Sequence, residues 1–308
     1  MAGWTAGDIP DQSGRLAVVT GANSGLGYAT ARELARHGAR VVLACRSAER
    51  GAEAQGRLLA EVPDAEVECR ALDLADLKSV RAFAEGLAAD ELHLLINNAG
   101  VMAMPYGRTA DGFETQIGVN HLGHFALTGL LLPKLLAAPR ARVVTLSSIS
   151  HFGGQVKLDD LHGERRYNRW TTYSRSKSAN LLFVHELARR LDAAGADVVA
   201  AAAHPGYAAT NLQYAAPRLE GRRMAERVTT LTYRLLAQSA DRGALPTLFA
   251  ATAPDVAPDD FIGPRIQGWR GSPARSWRAK WTRDDAVAEQ LWARSEELTE
   301  VAYEALKA

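Results

Sequence analysis

Thr20-Gly21-Ala22-Asn23-Ser24-Gly25-Leu26-Gly27 stands between two unlike stretches of chain. Before it, Arg15–Thr20 is short, apolar and β-branched, the pattern of a strand covered on both faces. After it, Leu26–His37 repeats apolar residues at helical spacing. Strand, glycine-rich turn and helix in that order build a phosphate cradle. Gly21 permits a sharp turn, Gly25 lets backbone approach a pyrophosphate, and Gly27 lets the helix pack close to the sheet. The helix N-terminus, with Asn23, Ser24 and Leu26 beside it, offers free N–H groups and the positive end of a dipole. The glycines run Gly-x-x-x-Gly-x-Gly rather than Gly-x-Gly-x-x-Gly, so a ligand-free turn is the competing reading. The flanking strand and helix favour the cradle.

The alternation continues for two hundred residues. Strands are expected at Arg40–Cys45, Glu66–Ala71, Leu92–Asn97, Arg142–Leu146 and Asp197–Ala202. Helices are expected at Ala48–Glu61, Leu77–Ala89, Thr115–Ala137 and Thr172–Ala194. This repetition predicts an α/β fold, a doubly wound parallel sheet with crossover helices. Beyond Gly206 the alternation stops. Helices near Arg223–Ala237 and Ala240–Ala251, a short Phe261-Ile262 strand and a last helix over Asp284–Leu306 follow. The reading is one domain, 1–308, with a helical lid inserted at about 207–258 and a C-terminal extension at about 264–308.

Composition narrows the function classes. The chain of 308 residues carries 36 Lys+Arg against 35 Asp+Glu, a net charge of +1. That balance argues against nucleic acid or an anionic membrane held by bulk electrostatics. The two cysteines, Cys45 and Cys69, cannot build a disulfide framework or a zinc cage. The eight histidines fall in no ligand spacing, so no metal is expected. His121, His124, His151 and His204 read as pocket neighbours or as structural residues, and the tryptophans from Trp269 to Trp292 as packing for the C-terminal segment or a partner subunit. No window reaches the ~18 uninterrupted apolar residues of a membrane span. Phe125–Ala138 is broken by Pro133 and Lys134, and the first residues lack a signal-peptide pattern. A soluble, cytoplasmic chain is expected.

The end of the second strand selects the cofactor. An acidic residue there would bind a free ribose 2′-OH and repel a 2′-phosphate. This chain has Leu43-Ala44-Cys45-Arg46-Ser47, with Cys45 at the acidic position and Arg46 beside it to clamp a phosphate. NADP(H) is therefore preferred over NAD(H), the alternative being a solvated Arg46 at a helix entrance. In Leu72-Asp73-Leu74, Asp73 can meet an adenine amino group or cap the helix that starts near Leu77.

Tyr173-Ser174-Arg175-Ser176-Lys177 opens a helical run. Residues i and i+4 share a face, so Tyr173 and Lys177 can address one ribose. A nearby ammonium favours the phenolate, which predicts a lowered Tyr173 pKa and a usable general acid. Upstream stand a strand ending in Ser147-Ser148 and, before it, Asn97-Asn98-Ala99-Gly100.

These motifs in this order resemble the classical short-chain dehydrogenase/reductase family over most of residues 10–265. Leu43–Ser47 and the long Ser-to-Tyr interval look most like its retinol-dehydrogenase-like and protochlorophyllide-reductase-like members. The resemblance implies a Rossmann-type fold of about seven strands and an NADP(H)-dependent reductase of a ketone or aldehyde (or the reverse alcohol oxidation). It implies that Tyr173 donates the proton, Lys177 binds the nicotinamide ribose and Ser148 holds the substrate oxygen. Asn120, in Gly118-Val119-Asn120-His121, would help hold a relay water, unless it is a helix-interior polar residue satisfied locally. Asn97, Ala99, Gly100 and Leu74 would line the cofactor, Pro205-Gly206 would flank the nicotinamide, and Thr210 would touch its carboxamide. Family precedent implies a dimer or tetramer. The 25 residues between Ser148 and Tyr173 exceed the interval in many members, and the surplus within Ser150–Thr172 is expected to shape the substrate entrance. The chain lacks the membrane anchor usual in retinol dehydrogenases, so a lipid substrate is not implied. Alternatives on the same fold are a C=C reductase and a non-catalytic NADP(H) sensor. Tyr207, Leu212, Tyr214 and Leu219 suggest an apolar pocket wall without naming a molecule.

Overall fold

The strand that precedes the glycine turn, β1 (Leu16–Thr20), is buried at every residue. The computed structural model describes residues 3–206 and 238–307. β1 pairs in parallel with β2 (Arg40–Cys45) on one side and with β4 (Leu94–Asn97) on the other. The sheet continues through β3 (Val67–Ala71), β5 (Ala141–Leu146), β6 (Val198–Ala203), β7 (Phe261–Ile266) and β8 (Arg270–Arg275). Its order is β3-β2-β1-β4-β5-β6-β7-β8. The first seven strands are parallel and β8 runs antiparallel to β7. The eighth strand exceeds the seven expected. Its sequence, Arg-Gly-Ser-Pro-Ala-Arg, has no apolar alternation; such a strand is tolerated at a sheet edge, where one row of N–H groups needs no partner.

The helices are α1 (Gly25–Arg36), α2 (Ala48–Glu61), α3 (Leu77–Gly86) and α4 (Thr115–Ile117). They continue with α5 (Gly123–Ala137), α6 (Arg169–Ala193), α7 (Ala240–Thr252) and α8 (Asp285–Thr299). Side chains alternate across β1. Leu16 and Val18 join a core with Val80, Phe83, Phe125, Leu131, Phe183 and Trp292, under α3, α5, α6 and α8. Ala17 and Val19 join the opposite core with Leu34, Leu58, Ala244 and Leu248, under α1, α2 and α7. Burial on both faces explains why these strands read as unbroken apolar runs.

Three expectations are corrected. Ala240–Thr252 was expected within a lid; it is a sheet-covering helix, with Ala244 and Leu248 fully buried. Residues 207–237 of that insertion lie outside the described residues, and with them Thr210, the 223–237 helix and Tyr207, Leu212, Tyr214 and Leu219. The helix expected over Thr115–Ala137 is interrupted by a π turn, Gly118–Leu122. The last helix ends at Thr299, where Glu300 takes a left-handed conformation, and a 3-10 turn follows at Glu304–Leu306. The C-terminal segment completes the core. Tyr303 is 1% exposed and its hydroxyl donates to the Phe125 carbonyl at 2.7 Å. A Cβ at Gly129 would stand 2.7 Å from both Tyr303 and Val301, so only glycine admits that approach. Among the described residues no helix is long and apolar enough to cross a membrane.

Candidate active site

The chain order reverses between β1 and β4, and ligands of open α/β sheets bind in the crevice outside the strand ends at such a point. Thr20 closes β1 and Asn97 closes β4. The Thr20 hydroxyl accepts the N–H groups of Asn98 and Ala99, each at 2.9 Å. Asn98 Nδ2 donates back to the Thr20 carbonyl at 2.7 Å. Gly21 and Gly25 have φ of +67° and +58°. A Cβ on Gly27 would stand 2.6 Å from the Gly21 carbonyl, whereas one on Gly25 meets nothing within 4 Å. Ser24 precedes α1 but makes no side-chain cap, unlike Ser47, which accepts from the Arg50 N–H at the start of α2. An open, positive-φ cradle before an uncapped helix N-terminus fits a pyrophosphate.

At the end of β2, Cys45 is 1% exposed and burial pushes its thiol up to about 12, so it is an inert packing residue. Arg46 is exposed beside it. Asp73 does not cap α3. That role falls to Asp76, which accepts from the Lys78 N–H at 2.9 Å. Asp73 Oδ1 holds the Ala75 N–H at 3.0 Å instead, on a half-buried side chain at the crevice. Leu74 sends its side chain into the core, and its backbone lies so close to Gly123 that a Cβ there would stand 2.5 Å from the Leu74 carbonyl. Asn97 does not present its amide to the crevice. It is fully buried, and Nδ2 donates to Thr128 at 3.0 Å and to Thr145 at 3.3 Å. Ala99, Gly100, Pro205 and Gly206 are each only partly buried.

Tyr173, Ser176 and Lys177 descend from the first turns of α6, which Asn168 caps by accepting the Trp170 and Thr171 N–H groups. Lys177 is 4% exposed, and its ammonium donates to the Leu146 carbonyl at 3.1 Å. Gly100 lies opposite: a Cβ there would meet Lys177 Nζ at 3.6 Å and Asn120 Oδ1 at 3.0 Å. The two serines after β5 are distinct. Ser147 is buried and donates to the Lys177 backbone carbonyl at 2.8 Å. Ser148 is half-buried; its hydroxyl donates to the Ser150 hydroxyl at 3.2 Å and accepts the Ser150 N–H at 3.1 Å, and its nearness to the Tyr173 phenol favours the phenolate.

The expected lowering of the Tyr173 pKa is not found. Burial pushes the phenol up to about 12, against the opposing effect of Ser148. Lys177 does not reverse this, because burial lowers its own pKa to about 8. Desolvation dominates both groups. The phenol is thus firmly protonated at neutral pH, the state a proton donor needs.

Asn120 sits in the π turn, fully buried, with its side chain spent on protein. Its Oδ1 accepts the Val101 N–H at 2.8 Å, and Nδ2 donates to the Val101 carbonyl and to Ser176, both at 2.9 Å. Its amide fixes the loop after β4 rather than facing the crevice. Its carbonyl receives His124 Nδ1 at 3.1 Å, and His124 Nε2 meets the Thr20 hydroxyl at 2.9 Å. His124 thereby links the cradle to the π turn.

The Ser150–Thr172 stretch docks on the loop before α4. Tyr167 donates to the Met104 carbonyl at 2.7 Å, Arg108 pairs with Glu164 at 2.6 Å, and His162 stacks on Phe113. Phe152 and Trp170 remain exposed. Of the later tryptophans, Trp292 is buried among Phe125, Phe183 and Tyr303, while Trp269 and Trp277 are exposed. Among the described residues no group of three or more His, Cys, Asp or Glu is placed to hold a metal.

Residues 15–218 match the short chain dehydrogenase family. The chain belongs to the short-chain dehydrogenase/reductase family. Retinol dehydrogenase 12 of Mus musculus is 44% identical over 296 residues, covering 94% of this chain and 88% of the relative. The crystal structure of an uncharacterized protein from Mycobacterium paratuberculosis is 48% identical, covers 98% of this chain and 99% of that one, and has a TM-score of 0.82. A candidate gluconate 5-dehydrogenase from Beutenbergia cavernae, with NADP bound, is 29% identical (79% and 91% covered, TM-score 0.60). A family member from Burkholderia phymatum in complex with NAD is 25% identical (78% and 86% covered, TM-score 0.61). As a short-chain dehydrogenase/reductase, the chain is a nucleotide-binding oxidoreductase on a Rossmann-type fold.

Asn98, Ser176, His124, His151 and His204 are the site residues that the sequence reading did not single out for a role. Asn98 is adjacent to a motif already read. The others join only through contacts made across the fold.

Proposed function

We propose that this chain is an NADP(H)-dependent reductase of an aldehyde or ketone, with Tyr173 as the proton donor. The observation that carries the reading is the grouping of Ser148, Tyr173 and Lys177 at the crevice beside an open pyrophosphate cradle. The chemistry a reduced nicotinamide supplies when bound is hydride. Gly21, Asn23, Ser24, Gly25, Leu26 and Gly27 hold the pyrophosphate, and Arg46 meets the 2′-phosphate with no carboxylate beside it to repel that charge. Asp73, the Leu74 backbone, Ala99, Gly100, Pro205 and Gly206 shape the rest of the cleft.

Ser148 hydrogen-bonds the substrate carbonyl oxygen and sets it against the Tyr173 hydroxyl. As negative charge develops on that oxygen, Tyr173 passes its proton to it. The Lys177 ammonium binds the ribose and stabilises the phenolate left behind. Asn120 keeps the loop after β4 and the start of α6 in register through Val101 and Ser176. The retinol dehydrogenase relatives support an apolar aldehyde of the retinaldehyde type among the substrates.

The test is consumption of NADPH and of NADH against aldehydes (retinaldehyde included), ketones and enones. The expected result is NADPH-preferred reduction of a carbonyl. Turnover confined to enones would make the chain a C=C reductase, and tight NADPH binding with no turnover on any compound would make it a sensor.

A further inference from the structure

Two buried histidines hold walls of this site from behind. His151 Nδ1 lies 2.7 Å from the Ser148 carbonyl, and its Nε2 accepts the Ala279 N–H at 3.1 Å. A carbonyl only accepts and an amide N–H only donates, so His151 is a neutral ring with its proton on Nδ1. His204 has the opposite arrangement. Its Nδ1 accepts the Gly206 N–H at 3.2 Å, which leaves the proton on Nε2, donated to the Ser276 hydroxyl at 2.8 Å. Both rings are fully buried and pack on Phe261, with centroids at 5.5 Å and 4.8 Å. Burial lowers both pKa values, that of His204 to about 3. Gly263 makes room for His204: a Cβ there would stand 1.9 Å from Nε2.

The far partners, Ser276 and Ala279, belong to one short segment between β8 and the 3-10 turn Lys280–Arg283. That segment is fastened without help from the histidines. Arg278, its side chain 1% exposed, pairs with Asp259 at 2.6 Å and donates to the Thr282 carbonyl at 2.5 Å. Arg275 pairs with Asp260 at 2.9 Å, and the Ser276 N–H donates to the Phe261 carbonyl at 2.6 Å. A buried, charge-paired anchor is a rigid reference for whatever leans on it.

We propose that residues 276–279 form a strap that sets the substrate wall and the cofactor wall together, with His151 positioning Ser148 and His204 positioning the Pro205-Gly206 turn. The inference rests on the reductase reading, in which Ser148 faces the substrate and Pro205-Gly206 the nicotinamide. Gly206 turns sharply in that wall with φ of +66°, close enough to the Trp269 carbonyl that a Cβ would stand 2.6 Å from it. Neither histidine touches the reacting atoms; each acts through the backbone of a neighbour.

The experiment measures full-length wild type, His151→Gln, His204→Gln and Ser276→Ala for kcat with an accepted carbonyl and for NADPH dissociation by cofactor fluorescence. His151→Gln is expected to lose about tenfold in kcat while the dissociation constant stays within about twofold. His204→Gln is expected to raise the dissociation constant about tenfold, and Ser276→Ala to raise it in the same direction by about threefold. Equal losses in both quantities, whichever histidine is changed, would overturn the division of labour. Spectra of 15N-histidine-labelled wild type are expected to show His151 protonated on Nδ1 and His204 on Nε2. A shared tautomer, or a charged ring at neutral pH, would overturn the strap geometry without reference to turnover. A wild type that binds no nicotinamide cofactor and reduces no carbonyl would instead fail the reductase reading, leaving the tautomers to judge the strap.

Discussion

Lys177 Nζ lies 5.8 Å from the centre of the Tyr173 ring, one helical turn further along the same face of α6. Both groups are buried, and burial moves both away from their charged forms, the phenol up to about 12 and the ammonium down to about 8. The pair therefore titrates in an order that affects the pH profile. Tyr173 stays protonated across the usable range, while Lys177 loses its charge as pH rises through about 8. Carbonyl reduction draws on that charge to stabilise the phenolate. Its kcat/KM is expected to hold level near neutral pH and to fall through about pH 8. In Lys177→Arg the charge persists past pH ~12, so the alkaline limb should flatten even as the rate drops. A limb that survives the arginine substitution assigns the titration to another group.

Arg46 is expected to carry the cofactor preference. Arg46→Asp replaces a phosphate-binding guanidinium with a carboxylate suited to a free 2′-OH. The NADPH-to-NADH ratio of kcat/KM should fall by about a hundredfold, near 3 kcal/mol at about 1.4 kcal/mol per tenfold. An unchanged ratio would remove Arg46 from the 2′-phosphate site.

Gly25 and Gly27 should separate ligand binding from folding. Gly25→Ala meets no neighbour but holds a left-handed backbone, costing about 1–2 kcal/mol while placing a methyl in the phosphate cradle. Gly27→Ala drives a methyl against Asn98 and the Gly21 carbonyl, costing about 1–3 kcal/mol. Calorimetry with and without NADPH should find that the cofactor stabilises the Gly27 variant more than the Gly25 variant. The reverse order would place the phosphates elsewhere.

The buried histidines set the acid limit of stability. Burial holds His121 at about 3, His124 at about 4 and His204 at about 3, against ~6.5 in the unfolded chain. Between pH ~6.5 and about 4 the unfolded chain takes up protons that the folded chain refuses, so stability falls as pH falls. Each histidine contributes up to about 1.4 kcal/mol per pH unit in that window. Denaturant midpoints between pH 6.5 and 5 should drop with acid, and less steeply in His121→Gln, which keeps a nitrogen near Ser295 without a titrating ring. An equal slope in that variant would exclude His121 as a contributor.

How far the sequence could be read follows from which residues meet locally. β1, its glycine turn and α1 are contiguous and announce themselves, as does the one-turn spacing of Tyr173 and Lys177. β8 is hidden because an edge strand need not alternate, and Pro273 disguises it further. The π turn at Asn120 leaves no mark in apolar periodicity; the side-chain bonds to Val101 and Ser176 across the fold mark it out. Asn97 and Asn98 were separable only by the pleat, which turns one inward to Thr128 and the other toward Thr20. The phenol pKa was misjudged because a neighbouring charge is visible in sequence and depth of burial is not. His151 and His204 meet their strap more than seventy residues away in sequence.

The most direct measurement is a single-turnover reaction of preformed NADPH complex with a carbonyl that the wild type reduces, run for wild type and Tyr173→Phe. The phenylalanine variant keeps the ring's packing and loses only the proton. One NADPH is expected to be consumed per alcohol formed in wild type, with a rate at least about a hundredfold lower in Tyr173→Phe and NADPH affinity within about twofold. Near-wild-type hydride transfer in Tyr173→Phe would contradict it.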